Sequence, residues 1–297
     1  MLFASIDVGS NAARLLISEI VEKEDNVSIK KHTFVRVPLR LGLDVFESGF
    51  ISENKINKLI TTLLAFKSII EVNDIKYYRA CATAAMREAK NNSEIIKKIK
   101  KEIGLNLEVI DGIEEARIVS LNNSVLGNSD KKITMFIDVG GGSTEIIILK
   151  EKNGKNKIVD SYSFKIGTIK LLTNNVNEKE WAKLKDTCKE LHKNYKNINC
   201  IGTGGNINKL IKMYGDEDEK VIYYDNLLYA LSHLNSFSLE ERISNLDLKT
   251  DRADVIVPAT EIYLSIMKWT QIKAMIVPKI GLPDGLIYSL YYDLKNK

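Results

Sequence analysis

The sequence predicts an α/β protein made of two similar domains, and three observations support this fold class. The stretch SIDVGSNAARLLISEI, which begins at Ser5, returns as FIDVGGGSTEIIILKE, which begins at Phe136, so that Asp7 and Asp138 occupy matching places 131 positions apart. Each copy is followed by another apolar strand and by a mixture of helices and strands. The length of 297 residues accommodates two domains, and the repeat is too long for a solenoid.

The first half of the chain changes from strand periodicity to helix periodicity after about 40 residues. Apolar residues alternate or form runs over residues 1–40, which predicts three strands in a meander, and the 3.6-residue rhythm then predicts a helix over 52–72. The elements predicted next are the strand KYYRACAT, the helix NSEIIKKIKKEIG ending at Gly104, the strand NLEVID, and a helix from Asp111 to about Val125. Asp111 and Glu114 have the spacing of a capping box at the start of that last helix.

The polar stretch LGNSDKK separates the two halves, and we predict domains over residues 1–122 and 123–297. The second domain begins with two strands in FIDVGGGSTEIIIL and a third in KIVDSYSFKIG. Helices over 177–193 and 204–213 enclose the strand INCIG, and MYGDEDEK is predicted to be a loop. After this loop the sequence predicts helices over 225–235, 238–244 and 250–269, and the last of these is expected to be kinked at Pro258. The strand IKAMIVP and the final helix DGLIYSLYYDL follow.

The composition is that of a globular protein, with 44% hydrophobic and 28% charged residues. No apolar stretch approaches the roughly 18 residues of a membrane span, and the N-terminus lacks a basic segment and a cleavage signal, so we expect a cytoplasmic protein without a membrane partner. The net charge of +4 favours a polyanionic substrate without identifying one. No nucleic-acid-binding pattern is present, so no specific nucleic acid partner is expected.

The cysteines and histidines do not form a recognisable site. Cys81, Cys188 and Cys200 are widely spaced and contain no CxxC pair, so we expect small buried residues and not a metal or redox site. The three histidines are scattered, without the spacing of metal ligands. Any acid–base chemistry is therefore assigned to aspartate and glutamate.

The two repeated stretches each contain a glycine-rich loop that follows an aspartate. Glycine lets the backbone approach a ligand closely, and successive N–H groups in such a turn form an anion-binding concavity. Asp7 and Asp138 would repel a phosphate unless a divalent cation such as Mg²⁺ lies between them, or unless they position water. A tight hairpin with a solvent-facing aspartate is the alternative interpretation.

A third glycine stretch, IGTGGNINKL, carries Gly204 and Gly205 between a strand and a helix. A helix N-terminus can bind phosphate or ribose in such a place, and a plain strand-to-helix turn explains the stretch equally well. The stretch lacks the Lys and Ser/Thr of a Walker A loop and the third glycine of a dinucleotide-binding fingerprint.

Several motifs resemble those of the Ppx/GppA family of exopolyphosphatases and guanosine pentaphosphate phosphohydrolases, within the superfamily of actin, sugar kinases and heat-shock chaperone ATPases. They run in order over nearly the whole chain, and ACATAAMREAKN and EVIDGIEEARI are the most specific. The others are SIDVGSNAARLLI, FIDVGGGSTEI, SFKIGTIKL, IGTGGNI, DRADVI and GLPDGLIY. The resemblance implies two actin-like (ribonuclease H-like) α/β domains, an active-site cleft between them, and a C-terminal helix at about 284–297 that packs on the first domain.

The resemblance also implies roles for individual residues. Glu115, just before the Ala–Arg of EEAR, would be the catalytic glutamate, with Arg87 as a second catalytic residue; a first-turn glutamate that stabilises the helix dipole is the alternative for Glu115. Asp138 and Glu145, together with Asp7, would hold Mg²⁺, with K⁺ as a further candidate ion. The phosphate-binding residues would be Gly9, Ser10, Asn11 and Arg14 in the first loop, Gly140, Gly141, Gly142, Ser143 and Thr144 in the second, and Gly204 and Gly205 in the third.

The chain departs from the family pattern at three places. Ala12 stands where the family often has Ser, so one hydroxyl contact is lost. Asn206 replaces the Thr or Ser usual after the two glycines of the third loop. GLPDG lacks the Arg usual in GLREG, so that Pro283 and Asp284 differ in shape and charge. These departures bear on how the ligand is held.

From these motifs the sequence predicts Mg²⁺-dependent hydrolysis of the terminal phosphoanhydride of inorganic polyphosphate, with release of orthophosphate. Hydrolysis of guanosine pentaphosphate at the same site is the first alternative. An actin-like kinase that transfers the phosphoryl group to a small molecule and a non-enzymatic ATP-binding scaffold are further alternatives. Polyphosphate or guanosine pentaphosphate is therefore the expected partner, and a homodimer is a candidate assembly.

Overall fold

The computed structural model describes residues 1–23, 26–122, 132–152 and 155–296. The chain folds into two compact units, one formed by Met1–Gly127 and Gly281–Lys297 and the other by Asn128–Ile280. We call them unit 1 and unit 2. The boundary that the sequence suggests, between residues 122 and 123, adjoins residues 123–131, which lie outside the described part of the chain.

Unit 1 is built on a five-stranded sheet. Its strands are β1 (Leu2–Val8), β2 (Ala12–Lys23), β3 (Asn26–Pro38), β4 (Tyr77–Ala82) and β5 (Glu108–Val109), in the order β3-β2-β1-β4-β5. The first three are antiparallel neighbours, which confirms the predicted meander, and β4 pairs in parallel with β1 and β5. From Phe3 onward β1 is buried, as expected for a central strand with both faces covered.

The described helices of unit 1 are α1 (Leu41–Ser48), α2 (Glu53–Val72), α3 (Ala84–Glu88), α4 (Asn92–Ile103), α5 (Gly112–Ser120) and α13 (Leu282–Lys295). The helices predicted over 52–72 and up to Gly104 are confirmed as α2 and α4. The predicted end of α5, at about Val125, lies outside the described residues. The sequence does not predict α1 and α3, because eight and five residues are too few to show a helical period.

α13 packs on the sheet and on α5 within unit 1. Ser5 Oγ donates a hydrogen bond of 2.8 Å to the carbonyl of Pro283 at the start of this helix. Asp284 accepts a hydrogen bond of 3.0 Å from the N–H of Gly281 and pairs with Lys31 of β3 at 2.6 Å. Pro283 and Asp284, where the sequence departs from the family motif, therefore begin α13 and attach it to unit 1. A small apolar cluster also joins the helix to the sheet, and its buried members are Phe3, Leu16, Ile287 and Tyr291.

Unit 2 is built on a six-stranded sheet that contains the same meander. Its strands are β6 (Ile133–Val139), β7 (Thr144–Lys152), β8 (Lys155–Phe164), β9 (Ile198–Thr203), β10 (Val221–Tyr223) and β11 (Ala274–Ile276), in the order β10-β11-β9-β6-β7-β8. β6, β7 and β8 are antiparallel neighbours, and β9 pairs in parallel with β6 as β4 does with β1. The predicted similarity of the two halves is confirmed by this common topology.

The described helices of unit 2 are α6 (Thr168–Leu172), α7 (Glu178–Asn194), α8 (Gly205–Tyr214), α9 (Tyr224–Asn235), α10 (Leu239–Ser244), α11 (Thr250–Ala253) and α12 (Ile256–Thr270). The single kinked helix predicted over 250–269 is wrong, since α11 ends at Ala253 and α12 begins at Ile256. A proline ring clashes with the carbonyl four residues earlier, here that of Asp254, so the helix stops there. Pro258 instead lies in the first turn of α12, where its missing N–H would have no helical partner.

The core of unit 2 lies on both faces of β6, where Phe136 and Ile137 are fully buried. Cys188 and Cys200 belong to this unit's apolar core, and Cys81 is buried in unit 1, which confirms that the cysteines are buried residues. Within the described ranges, none of the helices combines the length and the hydropathy that a membrane crossing requires.

Candidate active site

Unit 2 brings Asp138 and Glu145 together at the end of its sheet. Asp138 on β6 lies directly opposite Glu145 on β7 and Thr203 on β9, and Glu145 lies opposite Ser163 on β8. Directly opposite residues point their side chains to the same face of a sheet, so these four residues, which we call the unit 2 row, lie side by side. A carboxylate oxygen of Asp138 and one of Glu145 lie within 4.8 Å of each other.

Both carboxylates of this row are buried, with 8% of Asp138 and 1% of Glu145 exposed. Ser163 Oγ donates a hydrogen bond of 2.9 Å to Glu145 Oε1. Two buried carboxylates this close repel each other when both are ionised, and a divalent cation bound by their oxygens removes that repulsion. Unit 2 therefore offers two ligands suited to a divalent metal ion.

The second glycine loop connects β6 to β7 and is fastened through its carbonyl groups. The N–H of Gly140 donates a hydrogen bond of 2.9 Å to the carbonyl of Ser143, which closes the turn. The carbonyls of Gly140 and Gly141 accept hydrogen bonds of 3.0 and 2.9 Å from the first two N–H groups of α6. Because the N–H and C=O of a trans peptide point in opposite directions, the N–H groups of Gly141 and Gly142 point away from α6.

Gly167 and Thr144 fix this loop further. A Cβ atom on Gly167 would lie 2.5 Å from the carbonyl carbons of Gly141 and Gly142, so only glycine allows α6 to approach the loop this closely. Thr144 Oγ1 donates a hydrogen bond of 2.7 Å to the carbonyl of Ile166. Thr144 is a predicted phosphate-binding residue, but its hydroxyl hydrogen is used in this bond within unit 2.

The third glycine loop lies against Asp138. Gly204 has a φ of 108°, which favours glycine, and it caps the N-terminus of α8. A Cβ atom at this position would lie 3.1 Å from Asp138 Oδ1. Behind the loop, the buried hydroxyl of Tyr263 donates to the carbonyl of Thr203, and burial holds the pKa of this hydroxyl well above its ordinary value. Gly204 therefore brings the N-terminus of α8 close to the unit 2 row.

Arg252 on α11 is a residue of this site that sequence reasoning missed. Its Nη1 donates a hydrogen bond of 3.0 Å to Asn206 Oδ1, and a Cβ atom on Gly205 would lie 3.0 Å from the same nitrogen. The guanidinium thus covers the first residues of α8, and Asn206, one of the departures from the family pattern, supplies the side chain that holds it. The motif DRADVI contains Arg252, but nothing in the sequence indicates a contact with a loop 46 residues earlier.

Unit 1 has a matching row with a different distribution of charge. Asp7 on β1 lies opposite Arg14 on β2 and Cys81 on β4, and Arg14 lies opposite Arg36 on β3; these four residues are the unit 1 row. Arg14 Nη1 donates a hydrogen bond of 2.5 Å to Asp7 Oδ2. Burial raises the pKa of the Asp7 carboxyl, and the charge of Arg14 opposes that shift. The structure thus places Asp7, a predicted metal ligand, in an ion pair with an arginine.

The first glycine loop repeats the construction of the second. The N–H of Gly9 donates a hydrogen bond of 3.0 Å to the carbonyl of Ala12. The carbonyls of Ser10 and Asn11 accept hydrogen bonds of 2.9 to 3.1 Å from backbone N–H groups within residues 39–42, where α1 begins. The N–H groups of Asn11 and Ala12 therefore point away from α1. Ala12 takes part through its carbonyl, so the departure from Ser at this position leaves the turn intact.

The N-terminus of α5 forms one half of the predicted capping box. Asp111 Oδ1 accepts a hydrogen bond of 2.8 Å from the N–H of Glu114. The Glu114 carboxylate instead accepts hydrogen bonds of 2.6 and 2.9 Å from Arg117 and lies 3.6 Å from Arg79 of β4. Charged donors bind a carboxylate more strongly than a backbone N–H does, so Glu114 links α5 to the sheet.

Glu115 and Arg87, the two predicted catalytic residues, lie together in unit 1. Glu115 is buried on α5, and its Oε2 lies 3.5 Å from Arg87 Nη1. Arg87, on α3, also donates a hydrogen bond of 2.7 Å to the carbonyl of Ile110, just before α5. This hydrogen bond fixes the guanidinium beside the carboxylate.

Within each unit the structure thus brings predicted site residues together. Unit 1 contains Asp7, Gly9, Ser10, Asn11 and Arg14 at the first loop and Arg87 with Glu115 at α5, and unit 2 contains Gly140, Gly141, Gly142, Ser143 and Thr144 with Asp138, Glu145, Gly204 and Gly205. The arrangement offers backbone amides and arginines for an anion and carboxylates for a cation.

Comparisons with known proteins agree on one family. The model of the Ppx/GppA phosphatase family matches residues 20–293. A solved structure of a Ppx/GppA family member from Aquifex aeolicus is 29% identical, with a TM-score of 0.76 over 100% of this chain and 99% of that one. An exopolyphosphatase from Cytophaga hutchinsonii is 23% identical, with a TM-score of 0.84 over 99% and 98% of the two chains. The predicted fold of two actin-like α/β domains is confirmed by these structures.

The curated relatives are longer than this chain. A bifunctional 3-dehydroquinate synthase/phosphatase from Fusobacterium nucleatum is 28% identical over 100% of this chain and 47% of its own length. A guanosine-5'-triphosphate,3'-diphosphate pyrophosphatase from Aliivibrio fischeri is 24% identical over 99% of this chain and 60% of its own length. This chain therefore corresponds to one part of each of these relatives.

Proposed function

This chain belongs to the Ppx/GppA phosphatase family, and we propose that it hydrolyses the terminal phosphoanhydride bond of inorganic polyphosphate and releases orthophosphate. The observation that carries the proposal is the second glycine loop, which fastens its carbonyls to α6 and turns the N–H groups of Gly141 and Gly142 the other way. Amide groups arranged in this manner bind phosphate oxygens. The loop joins the two strands that carry Asp138 and Glu145.

Glu115 is the proposed general base. It accepts a proton from the water that attacks the terminal phosphorus, while the bond from that phosphorus to the bridging oxygen breaks. Arg14 and Arg87 are proposed to bind oxygens of the phosphoryl group, for which the planar guanidinium is suited. Arg252, over the start of α8, is a further proposed anion-binding residue. Arg14, Arg87 and Glu115 belong to unit 1, and Arg252 belongs to unit 2.

Asp138 and Glu145 are proposed to hold Mg²⁺. The fit rests on their oxygen donors, on the distance of at most 4.8 Å between those oxygens and on their burial within one unit. The hydrogen bond from Ser163 orients Glu145, as contacts behind metal ligands commonly do. A bound Mg²⁺ would supply Lewis-acid polarisation of a phosphate oxygen and balance its negative charge.

Phosphate release tests the proposal directly. The purified chain should release orthophosphate from polyphosphate when Mg²⁺ is present, and chelation of the metal should abolish the release. Transfer of the phosphoryl group to an added small-molecule acceptor, with none released to water, would identify a kinase instead. Nucleotide-dependent assembly without any turnover would identify a scaffold.

Substitution of Glu115 by glutamine tests the assignment of the base. Glutamine keeps the shape of the side chain and cannot accept the proton, so turnover should fall by about 10²- to 10⁴-fold while phosphate binding, measured by calorimetry, changes less than about twofold. Glu114→Gln is the matched control, because the neighbouring carboxylate pairs with Arg117, and it should keep most of the activity. Hydrolysis at the native rate by Glu115→Gln would disprove the assignment.

Guanosine pentaphosphate is the second candidate substrate. The relative named as a guanosine-5'-triphosphate,3'-diphosphate pyrophosphatase matches 99% of this chain at 24% identity, and the same phosphate site would serve a nucleotide. Comparison of kcat/KM for the two substrates at one Mg²⁺ concentration decides between them. A preference of more than about tenfold for the nucleotide would replace polyphosphate as the proposed substrate.

A further inference from the structure

The two rows occupy equivalent places in two similar sheets. Asp7 and Asp138 lie near the end of the first strand of each meander, and the residue opposite is Arg14 in unit 1 and Glu145 in unit 2. The unit 2 row thus contains two carboxylates, whereas the unit 1 row contains one carboxylate and two arginines, because Arg36 lies opposite Arg14. The same backbone arrangement therefore carries opposite charge on its second strand.

The pair of Asp7 and Arg14 lies against the first glycine loop. A Cβ atom on Gly9 would lie 3.9 Å from Asp7 Oδ1 and 4.0 Å from Arg14 Nη1. The carboxylate is the buried partner, with 2% of its side chain exposed, whereas 27% of the arginine side chain is exposed. The member of the pair that is accessible beside the loop is therefore the positive one.

A divalent cation at Asp7 would have to share this carboxylate with the guanidinium that is hydrogen-bonded to it. The cation and Arg14 would repel each other, and the second carboxylate that unit 2 supplies at Glu145 is replaced here by that same arginine. By contrast, a buried and fixed carboxylate is well suited to orient the planar donors of a guanidinium.

We propose that Asp7 is a positioning residue for Arg14 and not a metal ligand, so that the row of unit 1 binds the anion and the row of unit 2 binds the cation. This inference rests on the proposed function for its substrate, and it gives each unit its own ion, an anion for unit 1 and a cation for unit 2. A guanidinium that is ordered before the phosphate arrives loses less entropy on binding it. Removal of the Asp7 charge weakens phosphate binding through Arg14 and leaves metal binding unchanged.

Calorimetry on the full chain separates the two roles. Mg²⁺ and inorganic tripolyphosphate are titrated in separate experiments into the wild type, Asp7→Asn, Arg14→Gln, the double variant and Glu145→Gln. Asp7→Asn and Arg14→Gln should each weaken tripolyphosphate binding by about tenfold, and the double variant should bind no more weakly than Arg14→Gln, because the two residues act as one. Asp7→Asn should leave the Mg²⁺ dissociation constant within about twofold, whereas Glu145→Gln should raise it by about tenfold or more.

Asp284→Asn is the matched control for the loss of a buried ion pair. Asp284 is a second buried aspartate of unit 1, and it pairs with Lys31 as Asp7 pairs with Arg14. This variant should leave tripolyphosphate binding within about twofold of the wild type. The inference is overturned if Asp284→Asn weakens that binding as much as Asp7→Asn does, if the effects in the double variant add, or if Asp7→Asn weakens Mg²⁺ binding as Glu145→Gln does.

Steady-state kinetics of Asp7→Asn test the role of Asp7 separately from the proposed function of the chain. In Asp7→Asn the KM for polyphosphate should rise by about tenfold, while the Mg²⁺ concentration that gives half-maximal activity stays unchanged. If the wild-type chain released no phosphate from either substrate, the proposed function would fail. The two calorimetric titrations would then still decide whether Asp7 serves a metal ion or the arginine.

Discussion

Gly167 lies where α6 meets the second glycine loop, with room for a hydrogen atom and none for a methyl group. A Cβ atom in Gly167→Ala would lie 2.5 Å from backbone atoms of the loop, so the loop or α6 has to shift. Overpacking of this kind costs about 1–3 kcal/mol, and a displaced loop should lower kcat/KM for phosphate release by about 10- to 100-fold. Thermal unfolding and phosphate release measure the two effects.

Gly281→Ala is the control for this substitution. A Cβ atom at Gly281 would lie 3.8 Å from Pro283 Cδ, which is an ordinary contact, and its φ of −173° suits any residue. This variant should stay close to the wild type in both measurements. Wild-type stability and activity in Gly167→Ala would mean that α6 does not fix the loop.

Residues that meet through neighbouring strands are the ones that sequence reasoning can place together. Asp138 and Glu145 are joined by a short loop between two strands, so alternation and the turn put them opposite each other. The contact of Arg252 with Asn206 spans 46 residues and depends on where the tertiary fold places α11 and α8, which no local pattern reveals. Asp7 and Arg14 are close in sequence, but their ion pair could not be predicted. A sequence motif does not show which neighbouring side chain neutralises a carboxylate.

At the scale of elements, the first turn of α5 is tied to the sheet by charge. The hydrogen bond from Arg117 holds the pKa of Glu114 below its ordinary value of 4.5, so this group stabilises the fold above pH 4.5 and loses that effect as the pH falls through its folded-state pKa. Glu114→Gln should therefore lower the unfolding free energy by about 0.2–1 kcal/mol at pH 7 and by progressively less toward pH 3. Thermal unfolding of both proteins across this range measures the difference.

Arg117→Gln provides the companion measurement. It removes the other half of the same ion pair, so its difference from the wild type should fade over the same range of pH. A difference that stayed constant from neutral to acid pH would mean that packing of the Glu114 side chain, and not its charge, stabilises α5.

Elements with a sustained period were predictable, and short ones were not. The 20 residues of α2 display the 3.6-residue rhythm over several turns, whereas the five residues of α3 cannot. The break between α11 and α12 was missed because Pro258 acts on the carbonyl four residues before it, so that the helix ends ahead of the proline. The strands of both meanders follow from local alternation and tight turns.

At the scale of the whole molecule, the three cysteines report on the integrity of both units. All three are buried, and burial raises the pKa of Cys81 and of Cys188 to about 12. A protonated, inaccessible thiol does not react with a thiol reagent at pH 8, so the native chain should show no fast reaction and the unfolded chain should show three thiols. Titration with a chromogenic disulfide before and after denaturation tests this expectation.

The reagent also distinguishes the two units. Mass spectrometry of the labelled peptides would locate an opening in unit 1 if Cys81 reacts in the native state, and in unit 2 if Cys188 or Cys200 reacts. Phosphate release measured on the same sample shows whether that opening belongs to the active protein. The repeat within the sequence was sufficient to predict two similar sheets, whereas the substrate depends on side chains that the fold alone does not determine.

Unit 1 is discontinuous, since α13 returns to it after the whole of unit 2. Unit 2 is one uninterrupted segment, whereas unit 1 is complete only after the residues that follow Ile280 have been made. The first sheet has to wait for Ile287 and Tyr291 to cover Phe3 and Leu16, which until then remain accessible to chaperones. Within this chain, the unit that carries Glu115 is therefore completed only after the whole of unit 2 has been synthesised.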